Sequence, residues 1–144
     1  MADSLFVIDS TFLLETSRNS FYGVPLLQDS SGRDTTMLFG FARDLLRLRK
    51  QPGMRKALVV IGDDGPCLPD SLISSAIDFL KRLRVPVIYA KGVRVGDVCA
   101  VLAERCTWIV TENKAMLQLV SDRCGVMSSF RRREMSWMLS RWPP

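Results

Sequence analysis

Hydrophobic residues occur along the chain in short consecutive runs that alternate with segments of helical periodicity. Four of the runs predict strands covered on both faces, at residues 5–9, 57–61, 85–90 and 107–111, and a shorter run at 125–127 predicts a fifth strand. Strands alternating with helices indicate parallel pairing with right-handed crossovers. We therefore expect an α/β fold, a single doubly wound parallel sheet flanked by helices.

The intervening segments supply the helices. The clearest begins at Asp34 or Thr35 as the N-cap and runs to about Lys50, with apolar positions at helical spacing. A short helix is predicted at residues 11–16, followed by an exposed loop at 17–34 because that stretch is rich in Ser, Gly, Asn and Asp. Further helices are predicted at 72–83, after residue 94 with Val98, Val101 and Leu102 inward, at 114–120 and at 130–141.

The length of 144 residues and the hydrophobic content of 47% predict one globular domain at residues 1–128, with a basic, aromatic C-terminal helix at 129–144 that packs on it or projects from it. No apolar run approaches the ~20 residues that span a bilayer. The N-terminus also lacks the basic region of a signal peptide. We expect a protein of the cytosol or an organelle matrix, neither secreted nor in a membrane.

Composition excludes several kinds of site. The four cysteines form no C-x-x-C pair and the chain has no histidine, so a zinc site and Ser-His or Cys-His catalysis are not expected. The net charge of +5 is compatible with an anionic partner and equally with ordinary solubility.

Acidic residues follow three of the predicted strands: Asp9, then Asp63 or Asp64, then Asp97. Neighbouring ends of parallel strands lie about 5 Å apart, so these carboxylates can converge and hold Mg²⁺ or Mn²⁺ for phosphodiester hydrolysis. The alternative is that Asp63 and Asp64 are turn residues, and that Asp97 interacts favourably with a helix dipole.

Four sequence blocks resemble the N-terminal nuclease domain of the 5′–3′ exonuclease family, which includes the 5′ nuclease of DNA polymerase I and is related to flap endonucleases and PIN domains. The blocks are FVID ending at Asp9, VVIGDD ending at Asp64, GVRVGDV starting at Gly92, and VTENKAMLQLV at 110–120. The resemblance implies a PIN-like fold, metal-dependent action on nucleic acid, and metal ligands at Asp9, at Asp63 or Asp64, and at Asp97.

The chain departs from that family at most of its acidic positions. The third block usually reads GVEADDV and the fourth TGDKDxxQLV, so Arg94, Gly96, Asn113 and Ala115 stand where the family has carboxylates. Glu15 stands where the family often has a basic residue. Only residues 65–69 occupy the place of the family's long basic arch, and no helix-hairpin-helix region is expected before Pro144.

These replacements shift the formal charge of the expected site by about five units toward positive, which opposes a bound metal pair. We therefore expect no cofactor and no confident catalytic residue, with Asp9, Asp63, Asp64 and Asp97 vestigial. Arg94 either pairs with Asp9 and Asp97 in place of a metal or is a solvated loop residue. Alternatively, Lys91, Arg94 and Lys114 form a phosphate-binding surface without cleavage.

The C-terminal segment allows three interpretations. Arg131, Arg132 and Arg133 can contact nucleic acid while nearby aromatic residues stack on bases. Trp137, Met138 and Trp142 can instead anchor a protein partner. The third interpretation is a last helix that covers the sheet with its arginines outward.

Three functional hypotheses follow from these patterns. The preferred one is a catalytically degenerate nuclease-like domain, a pseudoenzyme that binds DNA, RNA or a ribonucleoprotein. The first alternative is a scaffold subunit of a larger assembly. The second is a weak nuclease that uses Mg²⁺ or Mn²⁺ at Asp9, Asp63 and Asp97.

Overall fold

The sheet of the computed structural model has five parallel strands. The model describes residues 5–20, 27–50, 56–62, 70–105 and 108–127. The strands are β1 (Phe6–Asp9), β2 (Ala57–Gly62), β3 (Val87–Ala90), β4 (Trp108–Val110) and β5 (Gly125–Met127). Their order across the sheet is β3-β2-β1-β4-β5, with every neighbouring pair parallel. This confirms the predicted doubly wound α/β fold and its short fifth strand.

Within the described ranges, four α-helices and one 3-10 helix flank the sheet. They are α1 (Ser10–Ser20), α2 (Thr36–Arg49), α3 (Asp70–Arg82), α4 (Val95–Leu102) and the 3-10 helix at Lys114–Leu119. None of the helices in the described ranges combines the length and apolar content that a bilayer crossing requires.

Alternate residues of each strand face opposite sides of the sheet, and both sides are buried along β1, β2 and β5 and nearly so along β4. Ile8 and Val59 lie in a core with α1, α2 and α3, which we call the three-helix face. Val7 and Val60 lie in a second core with α4 and the 3-10 helix, which we call the α4 face. Burial on both faces explains why the strands read as continuous apolar runs without polar alternation.

The loop predicted at residues 17–34 is partly helical, because α1 continues to Ser20. Ser17 is buried, and its hydroxyl donates to the carbonyl oxygen of Met37 in α2 at 2.8 Å. This polar side chain therefore helps to join two packed helices, which its identity alone does not indicate. Asp34 accepts a hydrogen bond from the amide of Thr36 at 2.9 Å, in agreement with a helix that begins there.

The predicted inner side of α4 is wrong at one position. Val101 is 74% exposed, whereas Val95 and Cys99 are the buried residues of this helix. Because α4 begins at Val95, the residues one turn apart that face the sheet are Val95 and Cys99, with Val98 and Leu102 beside them. Val101 then points away from the sheet.

Some sequence predictions concern residues outside the described ranges. These are Asp63 and Asp64, the segment at 65–69, and the C-terminal segment with Arg131, Arg132, Arg133, Trp137, Met138 and Trp142. Their proposed roles remain predictions.

Candidate functional site

The order of the strands identifies one edge of the sheet as the candidate site. The chain runs from β1 outward through β2 to β3, and the remaining strands extend from the other side of β1 as β4 and β5. In open parallel sheets, ligands bind beyond the carboxyl ends of the two strands at which this direction changes. Here those strands are β1 and β4, which end at Asp9 and Val110.

Asp9 is buried at this position, with 4% of its surface exposed. One carboxylate oxygen accepts a hydrogen bond from the backbone amide of Thr11 at 3.0 Å, and the other accepts one from the hydroxyl of Thr111 at 2.9 Å. Ile8 and Val110 are paired in the sheet, so Asp9 and Thr111 are the next residues on adjacent strands. The carboxylate therefore joins the two strand ends at the change of direction.

Thr111 is a site residue that the sequence analysis did not select. Its side-chain oxygen donates to Asp9 and accepts from the amide of Asn113 at 3.0 Å, and its own amide donates to the carbonyl oxygen of Met127. The available signal was its place directly after a buried strand, at the second position of the fourth sequence block. Thr111 holds Asp9 in a fixed orientation.

Asn113 has a structural role in the same loop. Its side-chain oxygen accepts a hydrogen bond from the amide of Ala115 at 3.0 Å and so caps the 3-10 helix. The family pattern has an aspartate at each of these two positions. In this chain, one of them is used for helix capping and the other is an exposed alanine.

The loop between β3 and α4 carries the basic residues of the site. Gly92 adopts a φ of +68°, a left-handed conformation that favours glycine, and Lys91 and Arg94 are exposed on either side of it. Within the described ranges Arg94 forms no ion pair, so its predicted pairing with Asp9 and Asp97 is not observed. The alternative of a solvated loop arginine agrees with the structure.

Asp97 differs from Asp9 in both exposure and setting. It lies in the first turn of α4 and is exposed, where the helix dipole favours a negative charge. This agrees with the alternative interpretation of Asp97 as a helix N-terminal acid.

The first turn of α4 lies against the 3-10 helix. A side-chain carbon placed on Gly96 would meet the terminal methyl of Met116 at 3.4 Å. Lys114, which is exposed, begins that 3-10 helix, and Arg94 directly precedes α4. The two helices therefore bring basic residues from two loops to the same side of the sheet.

The described residues do not form a metal centre. No group of three or more histidine, cysteine, aspartate or glutamate side chains is close enough to hold a metal ion within these ranges. Asp9 already accepts two hydrogen bonds, and the family positions 94, 96, 113 and 115 contribute no carboxylate. The described residues alone therefore do not fit a pair of divalent cations, which requires several carboxylate oxygens; Asp63 and Asp64 lie outside the described ranges.

One polar group at this site lacks a partner. The hydroxyl oxygen of Thr11 is buried, and it has no hydrogen-bond partner among the described residues. It lies two residues from Asp9, at the start of α1. A buried hydroxyl without a partner is rare and identifies a point at which water or a ligand atom can bind.

Comparison with known proteins supports the family suggested by the sequence blocks. The chain is 29% identical to a 5′-3′ exonuclease of Aquifex aeolicus, in an alignment that covers 87% of this chain and 50% of that protein. It is 28% identical to the thermostable DNA polymerase I of Thermus thermophilus, over 75% of this chain and 16% of the polymerase. No family model matches the chain.

The chain spans half the length of the exonuclease and a smaller share of the polymerase. The sequence blocks, the parallel sheet and both relatives agree, and this chain is accordingly related to the 5′ nuclease superfamily.

Proposed function

We propose that this chain is a catalytically degenerate member of the 5′ nuclease superfamily that binds DNA, RNA or a ribonucleoprotein without cleaving it. The observation that carries the proposal is the contrast at the carboxyl edge. Its buried carboxylate, Asp9, is hydrogen-bonded to Thr11 and Thr111, whereas Lys91, Arg94 and Lys114 are exposed in segments that follow β3 and β4 at the same edge.

The exposed cations suit phosphate recognition. A lysine or arginine that contacts a phosphate displaces condensed counterions, which makes binding strong at low salt and independent of sequence. Lys91 and Arg94 lie in one loop, and Lys114 begins the 3-10 helix that contacts the same helix α4. We propose that Arg131, Arg132 and Arg133 make further contacts to the same ligand. We also propose that the chain acts in the cytosol or an organelle matrix.

Salt-dependent binding tests this function. We expect a fluorescent single-stranded oligonucleotide to bind in EDTA and low salt, as measured by anisotropy. Changing Lys91, Arg94 and Lys114 together to glutamine should reduce the slope of log affinity against log salt by about 2 to 3, roughly one per lost phosphate contact.

The matched control changes Lys81, Arg82 and Arg84 to glutamine at the opposite end of the strands, where α3 leads into β3. It removes the same charge and should leave the salt slope within error of the wild type. Absence of binding at low salt, or an equal loss in both triple variants, would contradict the proposed surface.

A weak metal-dependent nuclease is the second candidate, favoured by the buried Asp9 and by the exonuclease relative. It predicts Mn²⁺-dependent cleavage that the Asp9→Asn change abolishes. Degeneracy instead predicts no heat of Mn²⁺ binding for the natural chain. It also predicts that Mn²⁺ binding appears in a variant with Arg94→Glu, Gly96→Asp, Asn113→Asp and Ala115→Asp.

A scaffold role through Trp137, Met138 and Trp142 is a separate hypothesis. It predicts that the chain forms a stable complex whose assembly fails when these three residues are changed to alanine. Failure of the chain to form a complex with any tested partner protein would count against this hypothesis.

A further inference from the structure

We propose that the outer side of α2 is a docking surface for an acidic amphipathic helix of a partner protein. This surface, the α2 stripe, comprises Phe39, Ala42, Arg43, Leu46 and Lys50, with Arg47 and Arg49 at its two sides. It lies on the three-helix face, whereas Lys91, Arg94 and Lys114 lie in or beside α4 and the 3-10 helix, and it does not depend on the proposed function.

The stripe follows from helical geometry. At 100° per residue, Phe39, Arg43, Leu46 and Lys50 fall within an arc of about 60°, directly opposite the buried Leu45 and Leu48. Phe39 is 51% exposed and Leu46 is 43% exposed. The two apolar side chains are two turns apart, or about 10 Å along the axis.

Arg43 lies beside these apolar residues on the helix surface. Its guanidinium donates to Asp44 at 3.0 Å, and the Arg43 side chain is 33% exposed. Asp44 lies about 100° further round the helix, on the side away from Leu46, so this contact draws the guanidinium to the edge of the stripe. Phe39 and Leu46 thus form the apolar part of one row along the helix.

Charge identifies the kind of partner. Asp44 is the one acid in α2, and it is buried beside Arg43, with Arg47 3.9 Å away. Arg47, Arg49 and Lys50 are exposed at the sides and end of the row. A partner helix with apolar residues seven apart and glutamates beside them would match both features.

Two other occupants fit less well. A second copy of this chain would bring like-charged arginines and lysines together, and their repulsion would oppose the pairing. The chain's own segment at 130–142 contains four arginines and one glutamate, so its charge is also of the wrong sign.

A designed peptide tests the proposal. The probe is a labelled helix of about 20 residues with leucine at a and d, glutamate at e and g, and glutamine or alanine elsewhere. We expect the full chain to bind it with micromolar affinity at low salt, measured by anisotropy. A scrambled peptide of identical composition should bind at least tenfold more weakly.

Variants locate the binding surface. Leu46→Glu should weaken peptide binding at least tenfold, and Arg49→Gln with Lys50→Gln should weaken it several-fold. Val101→Glu places the same charge at another exposed apolar position, on α4, and should change the affinity less than twofold. Leu46→Ala is the milder variant if circular dichroism shows that Leu46→Glu perturbs the fold.

Other outcomes would overturn the proposal. Equal binding of the designed and scrambled peptides would show that the stripe recognises charge alone. Competition by a single-stranded oligonucleotide that is insensitive to Leu46→Glu would assign the cations to phosphate. A wild-type dimer in sedimentation that Leu46→Glu dissociates, without peptide binding, would assign the stripe to a second copy.

Discussion

Among the described residues, the three-helix face of the sheet packs against α1, α2 and α3, whereas the α4 face packs against α4 and the 3-10 helix. The first core is built of large side chains such as Phe41, Leu13 and Leu45. The second contains smaller or more flexible ones, among them Cys99, Cys124 and Met116. The positions at which the sequence blocks depart from the family pattern all lie in or beside α4 and the 3-10 helix, namely Arg94, Gly96, Asn113 and Ala115.

Under the proposed function, this difference separates stability from chemistry. Replacing a carboxylate near a surface helix leaves the three-helix core unchanged, so the fold persists when the chemistry is lost. We expect equivalent changes to lower the free energy of unfolding more on the three-helix face than on the α4 face.

Leu45→Ala and Met116→Ala compare the two cores directly. Both side chains are buried, Leu45 fully and Met116 almost fully. We expect Leu45→Ala to lower the free energy of unfolding by about 3–5 kcal/mol and Met116→Ala by about 2–3 kcal/mol, because the short 3-10 helix can collapse into the space that is left. Urea denaturation measures both values, and a larger loss for Met116→Ala would contradict the comparison.

A second comparison concerns the space available for a side chain at Gly125 and at Gly96. A side-chain carbon on Gly125 would lie 2.4 Å from the Trp108 ring, so Gly125→Ala should destabilise the protein by about 1–3 kcal/mol. On Gly96 it would meet only the flexible end of Met116 at 3.4 Å. Gly96→Ala, within α4, should therefore range from neutral to about 1 kcal/mol stabilising, as thermal unfolding would reveal.

Thr111→Val tests the link between β1 and β4. Valine has the shape of threonine, but it removes the donor to Asp9 and the acceptor of the Asn113 amide. The expected loss is about 1–3 kcal/mol of unfolding free energy, since a buried carboxylate loses a partner. Thr111→Ser keeps the hydroxyl and should retain more stability; equal losses in the two variants would point to packing instead.

The smallest expected effect is a change in the pKa of Asp29, a residue that belongs to neither core. The side-chain hydroxyl of Ser31, followed by the amide of Arg33, lowers the pKa of Asp29 well below its ordinary value of 3.8. A folded-state pKa below the unfolded one stabilises the folded state above pH 3.8, and this contribution is lost as the pH falls toward the folded pKa.

Carbon-detected NMR titration should therefore place the Asp29 midpoint below that of the same residue in unfolded chain. Ser31→Ala should move the midpoint upward, because it removes the hydroxyl that bonds Asp29 at 2.6 Å. A midpoint that does not move would exclude this hydroxyl as the main cause.

Much of the fold could be predicted because strands buried on both faces leave an unmistakable apolar run. All five strands were predicted, and residues 57–61 fall within a strand observed at Ala57–Gly62. The errors occurred where tertiary contacts override local pattern, as with the buried Ser17 and the exposed Val101. The 3-10 form of Lys114–Leu119 also has no simple sequence signal.

The site was less predictable than the fold. Convergence of strand-end acids was inferred from register, but register does not determine whether a carboxylate is buried or exposed, and Asp9 and Asp97 differ in this respect. The role of Thr111 was not predicted because, in the sequence, a threonine whose hydroxyl orients a carboxylate looks like any other loop threonine. Such roles depend on which strands become neighbours, which a single sequence gives only indirectly.

The bond between Asp9 and Thr111 joins residues 102 positions apart in the chain. During synthesis, at about 5 to 20 residues per second, β1 is therefore made several seconds before its neighbour β4. Until β4 is made, β1 has an open edge next to Asp9. The proposed site is complete only when β4 pairs with β1, so recovery of the proposed ligand binding after denaturation should report this long-range pairing.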